Sequence, residues 1–300
     1  MIRVTVIVTA RDAEATLPRT LAALADQEGA PSFELVVADD GSTDGTAAIA
    51  ERAGARVVRG PANAAVAGAS GASLAFCGAD CRPTAGWLAA GTRALADAEL
   101  VQGRVLPDPR SEAGPFASPV SVIEETGLYD AGNLFVRRAL FDRLGGFEAD
   151  HGNALTEDTW FGWRARRAGA STSFCPEALS HRPAGALEAL EHLEEATRRR
   201  AVPGTVARLP ELRDTLLHRR LFLSPRTMKL DLALAGLALA AARRSKLPLL
   251  AAVPYALELR RHAQDRGEDW KRVAAIDAAA DLLGAMALLH GSVEARTPVL

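Results

Sequence analysis

The sequence predicts an α/β protein: a doubly wound, mostly parallel sheet with a helical carboxyl-terminal extension. Three observations carry the prediction. Short β-branched runs alternate with segments of helical periodicity as far as about residue 182, the pattern of a sheet wrapped by helices. Some of these runs end in acidic or glycine-bearing turns, at the edge where open α/β sheets receive their ligands. Beyond Pro183 the alternation stops and helical patterns follow.

The elements can be justified in order. A first strand is expected over 4–9, and Leu17, Leu21 and Leu24 recur at helical spacing within a helix over 12–27. A second strand over 34–39 carries Leu35, Val36 and Val37, then enters a turn of Asp39, Asp40, Gly41, Ser42, Thr43, Asp44 and Gly45. Gly41 and Gly45 permit the tight backbone that projects both aspartates past the strand end. Ser42 or Thr43 is expected to cap a helix over 44–53. Strands over 56–59, 73–77, 100–106 and 133–136 follow, with helices over 86–96, 138–144 and 156–168, the last two ended by Gly145 with Gly146 and by Gly169. The Pro, Gly and Ser content of 107–119 marks a loop, and a last strand ends near Cys175. Further helices are expected around Leu187, Leu190 and Leu193 and over 211–223, 228–244, 249–263 and 269–289. The domains are accordingly placed at 1–182 and 183–300.

Composition narrows the classes of function. A chain of 300 residues with 48% hydrophobic content buries a sizeable core without staples. A net charge of −2 gives no global signal for nucleic acid. The basic residues are weighted to the tail, with 18 basic against 14 acidic side chains from Pro183 onward. Cys77, Cys81 and Cys175 form no disulfide framework and favour a reducing, cytoplasmic setting. They are read as small buried hydrophobes, because a zinc site wants about four spaced ligands. The amino terminus reads as a strand and not as a secretion signal.

Four segments then line up in order: Val6 to Asp12, the turn at Asp39 and Asp40, the run Ala75, Phe76, Cys77, Gly78, Ala79, Asp80, and the group Thr156, Glu157, Asp158, Thr159, Trp160. Together they resemble the family 2 glycosyltransferases of GT-A fold, inverting enzymes that use nucleotide-diphosphate sugars. The resemblance covers residues 1–182. It implies that Thr9, Ala10, Asp12, Asp39, Asp40 and Asn63 lie at the nucleotide. Asp80, as the last aspartate of a DxD motif, would hold Mg²⁺ or Mn²⁺, with His181 completing the shell. Asp158 is the implied base beside Glu157, and Asp130, Asn133 and Trp160 fall on the acceptor side. The physical chemistry agrees in kind: hard oxygen ligands suit such cations at a departing diphosphate, and a carboxylate can take the proton of an attacking hydroxyl.

Two departures from the family pattern qualify it. Gly78 stands where the first aspartate of DxD is common, and Ala62 precedes Asn63 where an arginine is common. They motivate an alternative, a silent nucleotide-sugar binding or assembly module. A third reading, a nucleotidyltransferase, would want a glycine-rich first loop with Arg and Lys that residues 9–15 lack. The acceptor is open among glycans, lipid-linked molecules and small molecules. In the tail, the apolar stretch 230–242 is too short to span a bilayer and is followed by Arg243, Arg244 and Lys246. A packed cap or a homo-oligomer contact is preferred there over a hairpin at the inner membrane face.

Overall fold

A computed structural model describes residues 3–111, 114–117, 121–148, 157–185, 188–266 and 269–300. They divide between two compact units, the first drawn from the chain up to Ala184 and the second from Gly185 onward together with 114–117.

The first unit begins with β1 (Val4–Ala10), α1 (Leu17–Ala25), β2 (Phe33–Asp39), α2 (Thr46–Arg52), β3 (Arg56–Arg59) and α3 (Ala62–Ala67). It continues with β4 (Ser73–Gly78), β5 (Arg82–Pro83), α4 (Trp87–Ala94) and β6 (Leu100–Pro107), then β7 (Asn133–Arg137), α5 (Arg138–Arg143), α6 (Glu157–Arg167) and β8 (Thr172–Arg182). The strands form one sheet in the order β3-β2-β1-β4-β7-β6-β8-β5. β1 pairs in parallel with β2 and β4, as β2 does with β3 and β6 with β8. β7 runs antiparallel to both β4 and β6, and the short β5 antiparallel to β8. The expected doubly wound, mostly parallel sheet is therefore present, with antiparallel pairings that strand spacing alone does not announce.

Both faces of the sheet are covered, as the near-continuous apolar strands require. Val4, Val6 and Val8 of β1 pack with Leu17, Leu21, Leu24, Trp87 and Leu88 on one face. Ile7, Leu74 and Phe76 pack with Val66, Leu140, Phe141 and Phe161 on the other, following the two-residue alternation of a strand. Under the carboxyl end of β4, Asn133 is wholly buried. Its amide accepts from Trp87 Nε1 at 2.7 Å and donates to the carbonyls of Arg104 and Ala178, each at 2.8 Å. Asn133 is thus a polar rivet between strands. Its side-chain amide is committed to these internal bonds.

Several boundaries differ from expectation for local reasons. α1 starts at Leu17 and not at residue 12, because Asp12 has φ of 45° and Ala13 begins a turn. α2 starts at Thr46, where the Asp44 carboxylate accepts from Thr46 N at 3.0 Å, so neither Ser42 nor Thr43 is its cap. Gly41 does occupy the left-handed region at φ of 78°, whereas the Gly45 N-cap sits at −75°.

The second unit contains α7 (Ala189–Thr197), α8 (Val202–Arg208), α9 (Leu212–Thr215), α10 (Pro225–Arg243), α11 (Val253–Gln264) and α12 (Trp270–Glu294), with 3₁₀ segments at Arg198–Ala201 and Leu247–Ala252. The helix expected over 211–223 shrinks to α9. Ser224 caps α10, accepting from Thr227 N. α12 alone among the described helices is long and apolar enough to cross a bilayer. It nevertheless carries Asp277 and Asp281 buried in ion pairs with Arg226, Arg199 and His192, as a helix packed inside a folded unit does.

Candidate active site

The loops that follow β1 and β2 are stitched to each other before any ligand is considered. Asp12 N donates to Ser42 Oγ at 3.0 Å and Asp12 Oδ1 accepts from Thr43 N at 2.8 Å. Glu14 repeats the exchange, donating its N–H to Asp44 and accepting from Gly45 N. These reciprocal bonds hold Asp12 in a left-handed conformation that non-glycine residues rarely adopt, and such strain gathers at functional sites. Asp39 points inward: it is buried, and its Oδ1 accepts from Ser42 N at 3.0 Å. That bond shapes the turn, and Asp39 is not among the residues that line the cleft described next.

A cleft of about 570 Å³ opens at this edge of the first unit, within the range of small-molecule sites. Thr9, Arg11 and Asp12 line it from β1, and Gly78, Ala79 and Asp80 from the end of β4. Asp130, Ala131 and Gly132 come from the segment before β7, Glu157 and Asp158 from the first turn of α6, and Arg182 from the last residue of β8. Five segments far apart in the chain thus converge, and the turn at Asp39 and Asp40 is not among the lining residues. Thr156, the first residue of the fourth motif, lies outside the described residues.

Asp158 is 9% exposed, and its carboxylate accepts from Ala131 N and Thr159 N, both at 2.7 Å. Two main-chain donors therefore fix its orientation toward the cleft. Glu157 beside it has its carboxyl pushed upward by desolvation first, then by Asp158 and Asp40. Asp40 is exposed and follows β2, outside the cleft lining. Ala10 is buried in β1 and contributes its carbonyl to Asp40 N at 2.9 Å.

Asp80 keeps 46% of its side-chain surface open and lies 3.4 Å from Arg182 Nε. Arg182 also donates to Asp130 Oδ2 at 3.0 Å and to Cys81 Sγ at 3.4 Å, while its buried Nε has no hydrogen-bond partner. Burial opposes its charge, yet Cys81, Asp130 and Asp80 hold the guanidinium firmly protonated. Gly132 and Gly78 make room for it, since a Cβ on either would crowd the guanidinium or Asp80. Nothing in the local sequence distinguishes Arg182 from its neighbour His181. Alternation along β8 sends the two side chains to opposite faces. His181 faces Arg82, Asp108 and Arg110, and burial followed by Arg82 lowers its pKa. It is not among the residues that line the cleft.

Two other expected residues serve the scaffold. Asn63 bonds both the N–H and the carbonyl of Phe147, at 3.0 and 2.6 Å, and so holds Phe147 at the cleft wall without lining it. Trp160 donates Nε1 to Glu148 at 3.1 Å and stands outside the cleft lining. Ala62, where an arginine was expected by the family pattern, does line it.

The donor set can be tested against a divalent ion. Among the described residues no group of three or more His, Cys, Asp or Glu side chains is arranged to hold a metal. Magnesium sites are commonly completed by substrate phosphates with one or two protein carboxylates, and the open Asp80 meets that smaller demand. Charge points the same way. Asp12, Asp80, Asp130, Glu157 and Asp158 outnumber Arg11 and Arg182 in the lining, so a bare diphosphate would meet net repulsion that an accompanying cation removes.

Comparison with known proteins follows from this geometry. Residues 5–142 match the family model described as glycosyl transferase family 2. The solved structure of the mannosyltransferase PcManGT from Pyrobaculum calidifontis, in complex with GDP-Man and Mn²⁺, is 23% identical with a TM-score of 0.63, over 94% of this chain and 87% of that one. The structure of S. aureus TarS residues 1–349 in complex with UDP-GlcNAc is 18% identical with a TM-score of 0.52, over 99% and 93%. Both likenesses are of fold. No curated protein sequence matches the chain.

Proposed function

We propose that the chain is a glycosyltransferase that moves a sugar from a nucleoside-diphosphate donor to an acceptor hydroxyl with inversion at the anomeric carbon, a reading supported by the match of residues 5–142 to the glycosyl transferase family 2 model. The observation that carries this reading is the convergence of Thr9, Asp12, Asp80 and Asp158 on one cleft. The similar structures with GDP-Man and UDP-GlcNAc support a nucleotide-sugar donor.

In this reading the nucleoside lies over the stitched loops, near Thr9, Asp12 and the exposed Asp40. Arg11 and Arg182 are the cationic side chains of the lining and offer donors to phosphate oxygens. Asp80 would hold Mg²⁺ or Mn²⁺, whose chemistry is to stabilise the negative charge of the leaving diphosphate. Asp158, oriented by Ala131 N and Thr159 N, receives the proton of the acceptor hydroxyl as it attacks. Glu157 lines the cleft beside Asp158, its carboxyl pushed upward by desolvation and by the neighbouring acids. The intact acidic pair and open Asp80 favour an active enzyme over a silent binding module.

Calorimetric titration with UDP and GDP tests the donor site. Binding of one nucleotide that strengthens in the presence of Mn²⁺, with the Mn²⁺ effect lost in Asp80→Asn, is the expected outcome. Absence of binding to either nucleotide, with or without the ion, would remove the donor site and the reading with it.

A further inference from the structure

From Leu232 to Leu257 the second unit has no acidic residue, while Arg243, Arg244 and Lys246 are basic. The stretch comprises most of α10, the 3₁₀ segment Leu247–Ala252 and the first turns of α11. Within it only Ala233 and Gly236 are buried. The close approach of α10 to the 3₁₀ segment explains Gly236, where a Cβ would strike the Pro248 carbonyl. The two segments therefore form a packed hairpin whose remaining surface is turned outward. Leu237, Leu247 and Leu250 are 50, 73 and 64% exposed, and Arg243, Arg244, Ser245 and Lys246 form the exposed connection between the apolar arms.

An exposed apolar surface of this extent marks a contact site, and its charge selects the partner. Asp231 and Glu258 flank the stretch, the latter paired with Lys229, but the exposed connection between its apolar arms carries only cations, which matches the boundary of a bilayer, where acyl chains lie beneath anionic headgroups. A second copy of the same patch would instead bring Arg243, Arg244 and Lys246 against their own kind. The apolar run of α10 is too short to cross a bilayer, so the contact is with one leaflet.

We infer that the α10 hairpin docks this glycosyltransferase on an anionic membrane surface, with Leu247 and Leu250 entering the headgroup boundary and the Arg243, Arg244 and Lys246 side chains meeting lipid phosphates. The inference rests on the second unit and is independent of the donor-site reading. It takes up the membrane-surface hairpin that the sequence offers beside the packed cap or homo-oligomer contact.

Vesicle flotation with the full chain tests it. The protein should float with phosphatidylglycerol-containing vesicles and not with pure phosphatidylcholine, and release should follow added salt. Each basic residue neutralised to Gln should weaken binding about fivefold, the equivalent of roughly 1 kcal/mol per charge near an anionic surface. Leu247→Ser with Leu250→Ser should weaken it independently of salt. These positions are exposed, and circular dichroism checks that the variants fold. Failure to float with anionic vesicles overturns the inference, as does sedimentation showing a dimer that the leucine substitutions dissociate while flotation is unchanged.

Discussion

Replacing Asp158 with Asn is expected to lower donor-sugar transfer or hydrolysis by on the order of 10²-fold to 10⁴-fold, the range for loss of a positioned general base. The substitution is nearly isosteric, and the asparagine oxygen can still accept from Ala131 N or Thr159 N, the two donors that fix the aspartate. Nucleoside-diphosphate affinity should therefore change little, since the nucleoside is assigned to the β1 and β2 loops on other elements. The loss should fall on kcat, because the interaction is made when the hydroxyl gives up its proton. Steady-state kinetics with calorimetry on the same variant separates the two quantities. Activity equal to that of the parent would take Asp158 out of the mechanism, and loss of nucleotide binding would make it a structural residue of the cleft.

That Asp158 could be singled out from sequence, while Arg182 was not, follows from what each signal consists of. Asp158 sits in an acidic first helical turn followed by apolar residues, and turn and helix are both local patterns. The same locality made β1, β2, β3 and β4 legible, because each is a β-branched or apolar run bounded by polar or glycine residues. α3 escaped because its alanine-rich sequence has little periodicity, and β5 because two residues carry no pattern. The reversed direction of β7 depends on a long connection, not on its own residues. The surroundings of Asn63 and Asn133 were illegible for a related reason: which carbonyls a polar side chain meets is decided by neighbours 45 or 84 positions away. Arg182 could have been found by asking which side chain of β8 shares a face with the cleft. The spacing of four between Asp277 and Asp281 in an apolar helix was a second unused signal, since two acids on one buried face require partners.

Those partners make Asp281 the most consequential charge in the second unit. Its carboxylate receives Arg226 at 2.7 Å and the Tyr255 hydroxyl at 2.9 Å, and Arg199 lies 3.8 Å away. Asp281 is 6% exposed and joins α12 to α10 and α11 through these contacts. Asp281→Ala removes the acceptor and leaves Arg226 desolvated without its closest counter-ion, a change that costs about 3–5 kcal/mol where buried pairs are broken on one side. Urea unfolding should show that loss in the transition of the second unit. Replacing both members, Arg226→Met with Asp281→Leu, should cost clearly less than the sum of the single substitutions, because neither leaves an uncompensated charge. Additive losses in that cycle would show that Arg226 and Asp281 stabilise the helices separately, and the ion pair would then be incidental to how α10 and α12 are held together.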